Sequence, residues 1–187
     1  MTGDILTFLI DISFTILGAA FLARAWLHVI RFHPFNPFSQ LIFRMTEWLC
    51  KPLRVILPAG KSVDWSSLVG VYLVALFYLF FMWMLATGSL PNSGMISSGL
   101  IAAAVTMGRW ALNLIIWMTL IQAVLSWVNP LAPVMPVLRT LTDPLLEPIR
   151  RILPSFSGFD FSPLALLILA QIALMMLNRI SFTLVGM

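Results

Sequence analysis

The sequence predicts an all-α integral membrane protein made of two tandem parallel repeats, and three observations predict it: the composition, four long apolar runs and an internal repeat. Of 187 residues, 60% are hydrophobic and 10% are charged, and the mean hydropathy is +1.00. This composition excludes an ordinary soluble domain. A transmembrane helix needs about 20 mostly apolar residues, so the chain has room for several spans and little else.

Four apolar runs are long enough to cross the hydrocarbon core of a bilayer. They predict spans at 5–27, 68–86, 110–128 and 163–182. The first run could also be a signal peptide, but no Lys or Arg precedes it and Asp4 stands where a cationic segment belongs, so an uncleaved span is favoured. The segment 95–108, rich in Ser, Gly and Ala, either extends the third span or forms a separate short helix.

Basic residues are concentrated in the two loops that follow the first and third spans, 28–66 and 129–162. The segment 87–108 between the second and third spans contains no acidic or basic residue. The positive-inside rule therefore places both basic loops in the cytoplasm and both termini outside. An interfacial tryptophan belt agrees, with Trp26, Trp65 and Trp127 at the predicted inner ends and Trp83 and Trp110 at the outer ends.

An internal repeat appears when the chain is shifted by 96 positions. The segment 46–58, TEWLCKPLRVILP, then aligns with 142–154, TDPLLEPIRRILP, and seven of thirteen positions are identical. The same shift matches Asp64 with Asp160. We therefore predict two repeats, 1–90 and 91–187, each consisting of a span, a cytoplasmic loop and a span. Because both loops lie on one side, the repeats are parallel, not inverted.

Each repeated loop has apolar residues at helical spacing and charged residues elsewhere around the helix. We predict two short helices per loop, the second beginning at Pro52 or Pro148, with Pro144 shortening the helix before it. These helices lie in the membrane interface or, alternatively, pack on the transmembrane helices. Residues expected to contact anionic lipid or a partner are Arg44, Lys51, Pro52, Arg54 and Pro58 in the first loop, and Arg139, Pro148, Arg150, Arg151 and Pro154 in the second.

Polar residues stand where the second and fourth spans begin: Asp64, Ser66, Asp160 and Ser162. The favoured hypothesis is that they cap these helices, because Ser and Asp satisfy free N–H groups and an acid meets the positive end of the helix. The alternative is that Asp64 and Asp160 form ion pairs with Arg54 and Arg150, which would clamp each loop to the helix that follows.

Asp11 lies inside the first predicted span, where an acid needs a partner or water. We hypothesise that it pairs with Arg109 or Arg179, which the topology places in the same leaflet. The alternative is a relay for protons or cations that uses Asp11 together with amide side chains in the later spans: Asn113, Gln122, Gln171 and Asn178.

Residues that would support catalysis or a cofactor are absent from the sequence. Cys50 is the single cysteine, so neither an intrachain disulfide nor a thiolate metal site can form. HExxH, GxSxG and P-loop motifs are missing, and we expect the protein to be no enzyme and to bind no metal or cofactor.

The two histidines and the net charge also bear on possible ligands. His28 and His33 do not share a helical face, so hydrogen bonding is favoured over haem ligation. The excess of 11 Lys and Arg over 7 Asp and Glu suits anionic lipid better than nucleic acid.

The quoted motifs together resemble the YggT family. They are FNPFSQ at 35–40, KPLRVILP at 51–58, Asp64, and DPLLEPIRRILP with FDFSP within 143–163. The resemblance implies a multi-pass protein of the bacterial inner membrane without established enzymatic activity. Members have been linked to hyperosmotic stress tolerance and potassium uptake, to cell division and nucleoid distribution, and in plastids to cytochrome assembly.

These observations favour a non-enzymatic scaffold or assembly factor that acts through its cytoplasmic amphipathic loops. Its expected partners are an anionic inner leaflet, another membrane protein and a second copy of the chain. The alternative is a protein of cation homeostasis, with Asp11 as its polar site.

Overall fold

The computed structural model describes residues 2–32, 36–57, 60, 63–91, 95–153 and 160–185. All regular secondary structure in these ranges is helical. The helices are α1 Thr2–Val29, α2 Pro37–Ile56, α3 Trp65–Thr87, α4 Met95–Val128, α5 Met135–Ile152 and α6 Ser162–Val185. The chain forms two compact units, Met1–Trp110 with Leu177–Met187, and Ala111–Met176.

Four stretches within these helices are long and apolar enough to cross a membrane: Asp4–Val29, Trp65–Thr87, Ser97–Val128 and Ser162–Ile180. Three of them lie within a few residues of the predicted spans. The third is longer, because 95–108 continues into the same helix, which has 34 residues. No proline interrupts this segment and its alanines are strong helix formers. At 1.5 Å per residue, α4 is about 51 Å long.

Close packing of α1 against α3 forms the core of the first unit. Phe21 is fully buried against Gly70, where an added Cβ would lie 2.7 Å from the phenyl ring. Trp110 packs against Gly18 and Tyr78 and is also buried. The prediction that Trp110 belongs to an interfacial belt is therefore wrong. Because α4 begins at Met95, this tryptophan lies in the interior of the helix and not at its end.

The loop helices α2 and α5 are each continuous, so the prediction of two short helices per loop is wrong. Pro52 lies inside α2, and Pro144 and Pro148 lie inside α5. Proline already has a helical φ and each one removes a single N–H donor. In α5 the buried residues Thr142 and Leu146 lie on both sides of Pro144, whereas the last buried residue of α2, Cys50, precedes Pro52. Pro58 and Pro154, which were expected to contact lipid or a partner, lie outside the described residues.

Candidate functional site

The carboxylate of Asp64 is the centre of the contacts between the first loop and the spans. Asp64 directly precedes α3, and its side chain is 1% exposed. Ser66 Oγ donates to Oδ1 at 2.5 Å and Ser67 Oγ donates to Oδ2 at 2.8 Å. Asp64 is the N-cap residue by position, but its side chain makes no capping bond to the helix backbone. Ser66 lies inside α3, so its predicted role as a cap is wrong.

Two arginines from different helices approach this carboxylate. Arg54 Nη2 of α2 lies 3.3 Å from Asp64 Oδ2, and Arg24 Nε of α1 lies 3.8 Å from the same oxygen. Arg24 is buried, donates from Nη1 to Thr46 Oγ1 at 2.7 Å, and lies over the Phe43 ring at 4.9 Å from its centroid. The cluster therefore ties α2 to both flanking helices, and the Arg54–Asp64 pair is present.

Charge and hydrogen bonding keep Asp64 ionised. Burial alone would raise the pKa of this carboxyl, but the hydroxyl groups of Ser66 and Ser67 and the charge of Arg54 outweigh burial and lower the pKa below its ordinary value. An ionised Asp64 is the counter-charge that a buried Arg24 requires.

His28 provides a further contact between α1 and the first loop. Its Nε2 lies 3.0 Å from the carbonyl oxygen of Gly60. A carbonyl only accepts, so Nε2 is the donor. The structure therefore gives His28 a hydrogen-bonding role. His33 lies outside the described residues.

In the second loop the equivalent ion pair, Arg150–Asp160, has a more exposed aspartate than the Arg54–Asp64 pair. Arg150 Nε lies 2.8 Å from Asp160 Oδ2, and Arg150 Nη1 lies 2.9 Å from Asp143 Oδ1. The backbone N–H of Ser162, the first residue of α6, donates to Asp160 Oδ1 at 2.9 Å. Asp160 therefore makes an ion pair and also a bond to a backbone N–H at the start of the helix. Arg151 makes a separate surface pair with Glu147 at 2.6 Å.

The pKa values in this second cluster shift in the directions that pairing requires. Burial would raise the pKa of Asp160, but hydrogen bonds from Ser162 and the charge of Arg150 outweigh burial and lower it. Burial would lower the pKa of Arg150, but its two carboxylate partners outweigh burial and raise it. Both groups therefore remain charged at neutral pH.

A buried threonine joins each loop helix to the preceding span. Thr46 of α2 accepts from Arg24, whereas Thr142 of α5 donates to Gln122 Oε1 of α4. At the repeat offset, Leu120 occupies the position equivalent to Arg24. A neutral amide thus makes in the second repeat the contact that a buried charge makes in the first. Gln122, which the sequence suggested for an ion relay, thus links α4 to α5 through Thr142.

Asp11 has a partner that the sequence did not suggest. Its Oδ1 accepts a hydrogen bond of 2.8 Å from the Tyr78 hydroxyl of α3. Among the described residues Arg109 makes no ion pair with Asp11, and its Nε is buried without a hydrogen-bond partner. Asp11 and Tyr78 meet because α1 and α3 pack closely. The pairing of Asp11 with Arg179 stays a prediction.

The surface of α2 has three sectors, at about 100° per residue around the helix. The buried face contains Ser39, Ile42, Thr46 and Cys50. An apolar flank on one side is exposed and contains Phe38, Leu41, Met45 and Trp48. A polar flank on the other side contains Arg44, Glu47, Lys51 and Arg54. One face of α2 therefore packs on α1 and α3, as the alternative for the loops proposed, while the described residues leave the apolar flank exposed.

α5 has the same buried and polar sectors but a more covered apolar flank. Met135, Leu138, Thr142 and Leu146 form its buried face, and Arg139, Asp143, Glu147 and Arg150 form its polar flank. On its apolar flank, Leu141 is 2% exposed, whereas Met45 at the equivalent position of α2 is 36% exposed. The exposed prolines Pro144 and Pro148 occupy the positions of Trp48 and Pro52.

Arg24 is the functional residue that the sequence reasoning missed. It lies within the first predicted span, 5–27, close to its C-terminal end. An arginine inside a span is a signal in itself, because such a charge needs a partner. The internal repeat does not mark this position, since its equivalent, residue 120, is leucine.

A sequence model described as CCB3/YggT matches residues 3–85 and 101–181. The first segment covers most of α1 to α3, and the second covers most of α4 to α6. Two matched segments are consistent with the internal repeat.

Three bacterial relatives match over most of the chain. The protein YggT of Escherichia coli K12 is 34% identical over 168 residues, covering 89% of this chain and 86% of the relative. A protein encoded in the proC 3' region of Vibrio alginolyticus is 33% identical over 170 residues, 90% of each chain. A protein of Pseudomonas aeruginosa is 32% identical over 163 residues, 86% of this chain and 82% of the relative. All three carry the word uncharacterized in their names, and no solved structure matches.

Proposed function

The chain belongs to the CCB3/YggT family, and from that premise we propose that it is a non-enzymatic scaffold or assembly factor of the bacterial inner membrane. Its four candidate spans hold α2 and α5 at the cytoplasmic face, with both termini in the periplasm. One observation carries the proposal: in each repeat an ion pair, Arg54–Asp64 or Arg150–Asp160, ties an amphipathic helix to the start of a span.

Such a clamp suits a docking surface better than a mobile loop. A helix held at several points loses little conformational entropy when a partner binds its outer side. Both helices also leave a polar flank exposed, with Arg44 and Lys51 on α2 and Arg139 on α5. We propose that these flanks meet a membrane-protein partner or a second copy of the chain beside the anionic inner leaflet.

Crosslinking in native membranes followed by purification of the full chain tests the scaffold proposal. Arg44→Glu together with Arg139→Glu reverses an exposed charge on each polar flank, and Ser89→Glu supplies a control at the opposite end of α3. We expect specific crosslinked proteins to be recovered with the wild type and the control and to be depleted with the double variant. Recovery of the same proteins in equal amounts from all three would refute the proposal.

A second candidate is cation homeostasis or transport in hyperosmotic stress. It is favoured by the hydrogen-bonded pair of Asp11 and Tyr78 between two candidate spans, since an ionisable residue inside a span marks ion pathways. Proteoliposomes loaded with potassium distinguish the two functions. A scaffold moves neither potassium nor protons, whereas a conductor shows a flux that Asp11→Asn diminishes.

A further inference from the structure

We propose that α2, and not α5, binds anionic phospholipid, through a basic edge formed by Arg44, Trp48 and Lys51. This inference rests on the proposed placement of α2 at the inner leaflet and names the ligand of its exposed side. The three residues lie where the apolar flank of α2 borders its polar flank.

The geometry of this basic edge follows from the helical spacing. Arg44 and Trp48 are four residues apart, and Arg44 and Lys51 are seven apart, so all three project from one side of α2. Arg44 and Lys51 are about 10.5 Å apart along the helix axis. The Trp48 indole is 62% exposed, and its Nε1 donates to the Met45 carbonyl oxygen at 3.0 Å, which fixes the ring against the helix.

The apolar flank beside this edge supplies the surface that acyl chains would cover. Phe38 and Leu41 continue the flank from Trp48 toward the start of α2, and Val55 continues it toward the end. A helix with such a flank lies in the headgroup region with its apolar side toward the acyl chains. Long basic side chains at the border then reach phosphate oxygens while their methylene groups cover apolar surface.

The charges of the basic edge are available to a ligand. Among the described residues, Arg54 is paired with Asp64, whereas neither Arg44 nor Lys51 makes an ion pair with a carboxylate. Both side chains are exposed. Two unpaired cations beside an apolar flank are complementary to a ligand with a negative headgroup and a hydrocarbon tail.

The second repeat shows why α5 is not the lipid-binding helix. At the repeat offset of 96 residues, the positions equivalent to Arg44, Trp48 and Lys51 are occupied by Thr140, Pro144 and Glu147. The basic edge is thus replaced by a hydroxyl, a proline and an acid. Arg151 of α5 is paired with Glu147, so its charge is already compensated.

Lipid titration of the purified full-length chain in neutral detergent, followed by native mass spectrometry, tests the proposal. Phosphatidylglycerol is the probe, and phosphatidylcholine is the uncharged comparison. The variant is Arg44→Gln with Lys51→Gln. The matched control is Arg139→Gln with Arg151→Gln, which removes the same charge from α5. A basic side chain at an anionic surface contributes about fivefold in affinity, so we expect about 30-fold weaker phosphatidylglycerol binding by the α2 variant and less than about 3-fold by the control.

Several outcomes would overturn the proposal. Unchanged binding by the α2 variant, or equal weakening by both double variants, would show that α2 has no specific lipid site. Equal binding of the two lipids by the wild type would show that charge is not recognised. A charge-retaining variant, Arg44→Lys with Lys51→Arg, should bind within about threefold of the wild type, which separates lost charge from a disturbed fold. Because no partner protein is present, this titration fails or succeeds independently of the crosslinking test for the scaffold.

Discussion

The two repeats hold their loop helices with the same ion pair in different surroundings. Asp64 has 1% of its side chain exposed, whereas Asp160 has 43% exposed. The paired arginine and aspartate are repeated in sequence, but Arg24 is not, since its equivalent is Leu120. Duplication therefore preserved the clamp, and residues outside the repeated motif decide whether its carboxylate is buried.

This difference has an energetic consequence. Removing one partner of a buried pair leaves an uncompensated charge and costs about 3–5 kcal/mol, whereas an exposed pair contributes about 0–1 kcal/mol. We infer that α2 is held more strongly than α5, although the two clamps have similar sequences.

The largest expected effect comes from removing the buried carboxylate. Asp64→Asn leaves Arg24 buried without a counter-charge, and we expect the free energy of unfolding to fall by about 3–5 kcal/mol. Asp160→Asn, the matched variant, should cost about 1 kcal/mol or less. Reversible unfolding in detergent micelles, followed by circular dichroism, measures both. Equal losses would contradict the comparison.

A smaller difference is expected for the two buried threonines. Thr46→Val removes the acceptor of a charge-assisted bond from Arg24 and should cost about 1.5–3 kcal/mol. Thr142→Val removes a bond to the neutral amide of Gln122 and should cost about 0.5–1.5 kcal/mol. The same unfolding experiment checks the order, and a larger loss for Thr142→Val would reverse our assignment.

Acid should weaken both clamps. The pKa values of Asp64 and Asp160 are lower in the folded protein than their ordinary value of 3.8, so unfolded chains bind protons first. Their stabilisation is therefore complete above that value and is lost as pH falls through the lower folded pKa values. We expect Asp64→Asn and Asp160→Asn each to reduce the loss of stability below pH 3.8, as unfolding measured between neutral pH and acid will show.

Salt should produce the smallest effect, and only in the second repeat. The screening length falls from about 8 Å at physiological ionic strength to about 3 Å near 1 M salt, which weakens the exposed pairs of Arg150 with Asp143 and Asp160. The cost of Asp143→Asn, a few tenths of a kcal/mol, should vanish at about 1 M sodium chloride. The cost of Asp64→Asn should remain. A salt-dependent Asp64→Asn effect would place its carboxylate in solvent.

Much of the fold follows directly from periodicity and spacing. The four candidate spans are visible because a helix that crosses hydrocarbon must be apolar over most of its length, and the internal repeat is consistent with the two segments of the family match. The continuity of α2 and α5 was not predictable from prolines alone. Prolines such as Pro52 and Pro148 often mark helix starts, but here each lies near the end of a helix that has already formed.

The candidate site was predictable only where its residues repeat. Arg54 and Arg150 could be matched to Asp64 and Asp160 from one alignment of the chain with itself. Arg24 and Ser67 have no such match, because positions 120 and 163 are leucine and proline. The contact of Asp11 with Tyr78 depends on how α1 rotates against α3, which hydropathy does not determine.

We propose that both clamped helices face the cytoplasm, and cysteine labelling tests this placement most directly. Arg44→Cys and Thr140→Cys, at equivalent exposed positions, are placed one at a time in a Cys50→Ser background. A membrane-impermeant maleimide is applied to intact cells with a permeabilised outer membrane and to inverted inner-membrane vesicles. We predict that both cysteines react in the vesicles and neither reacts in the cells. Labelling of the two positions from opposite sides would contradict the account.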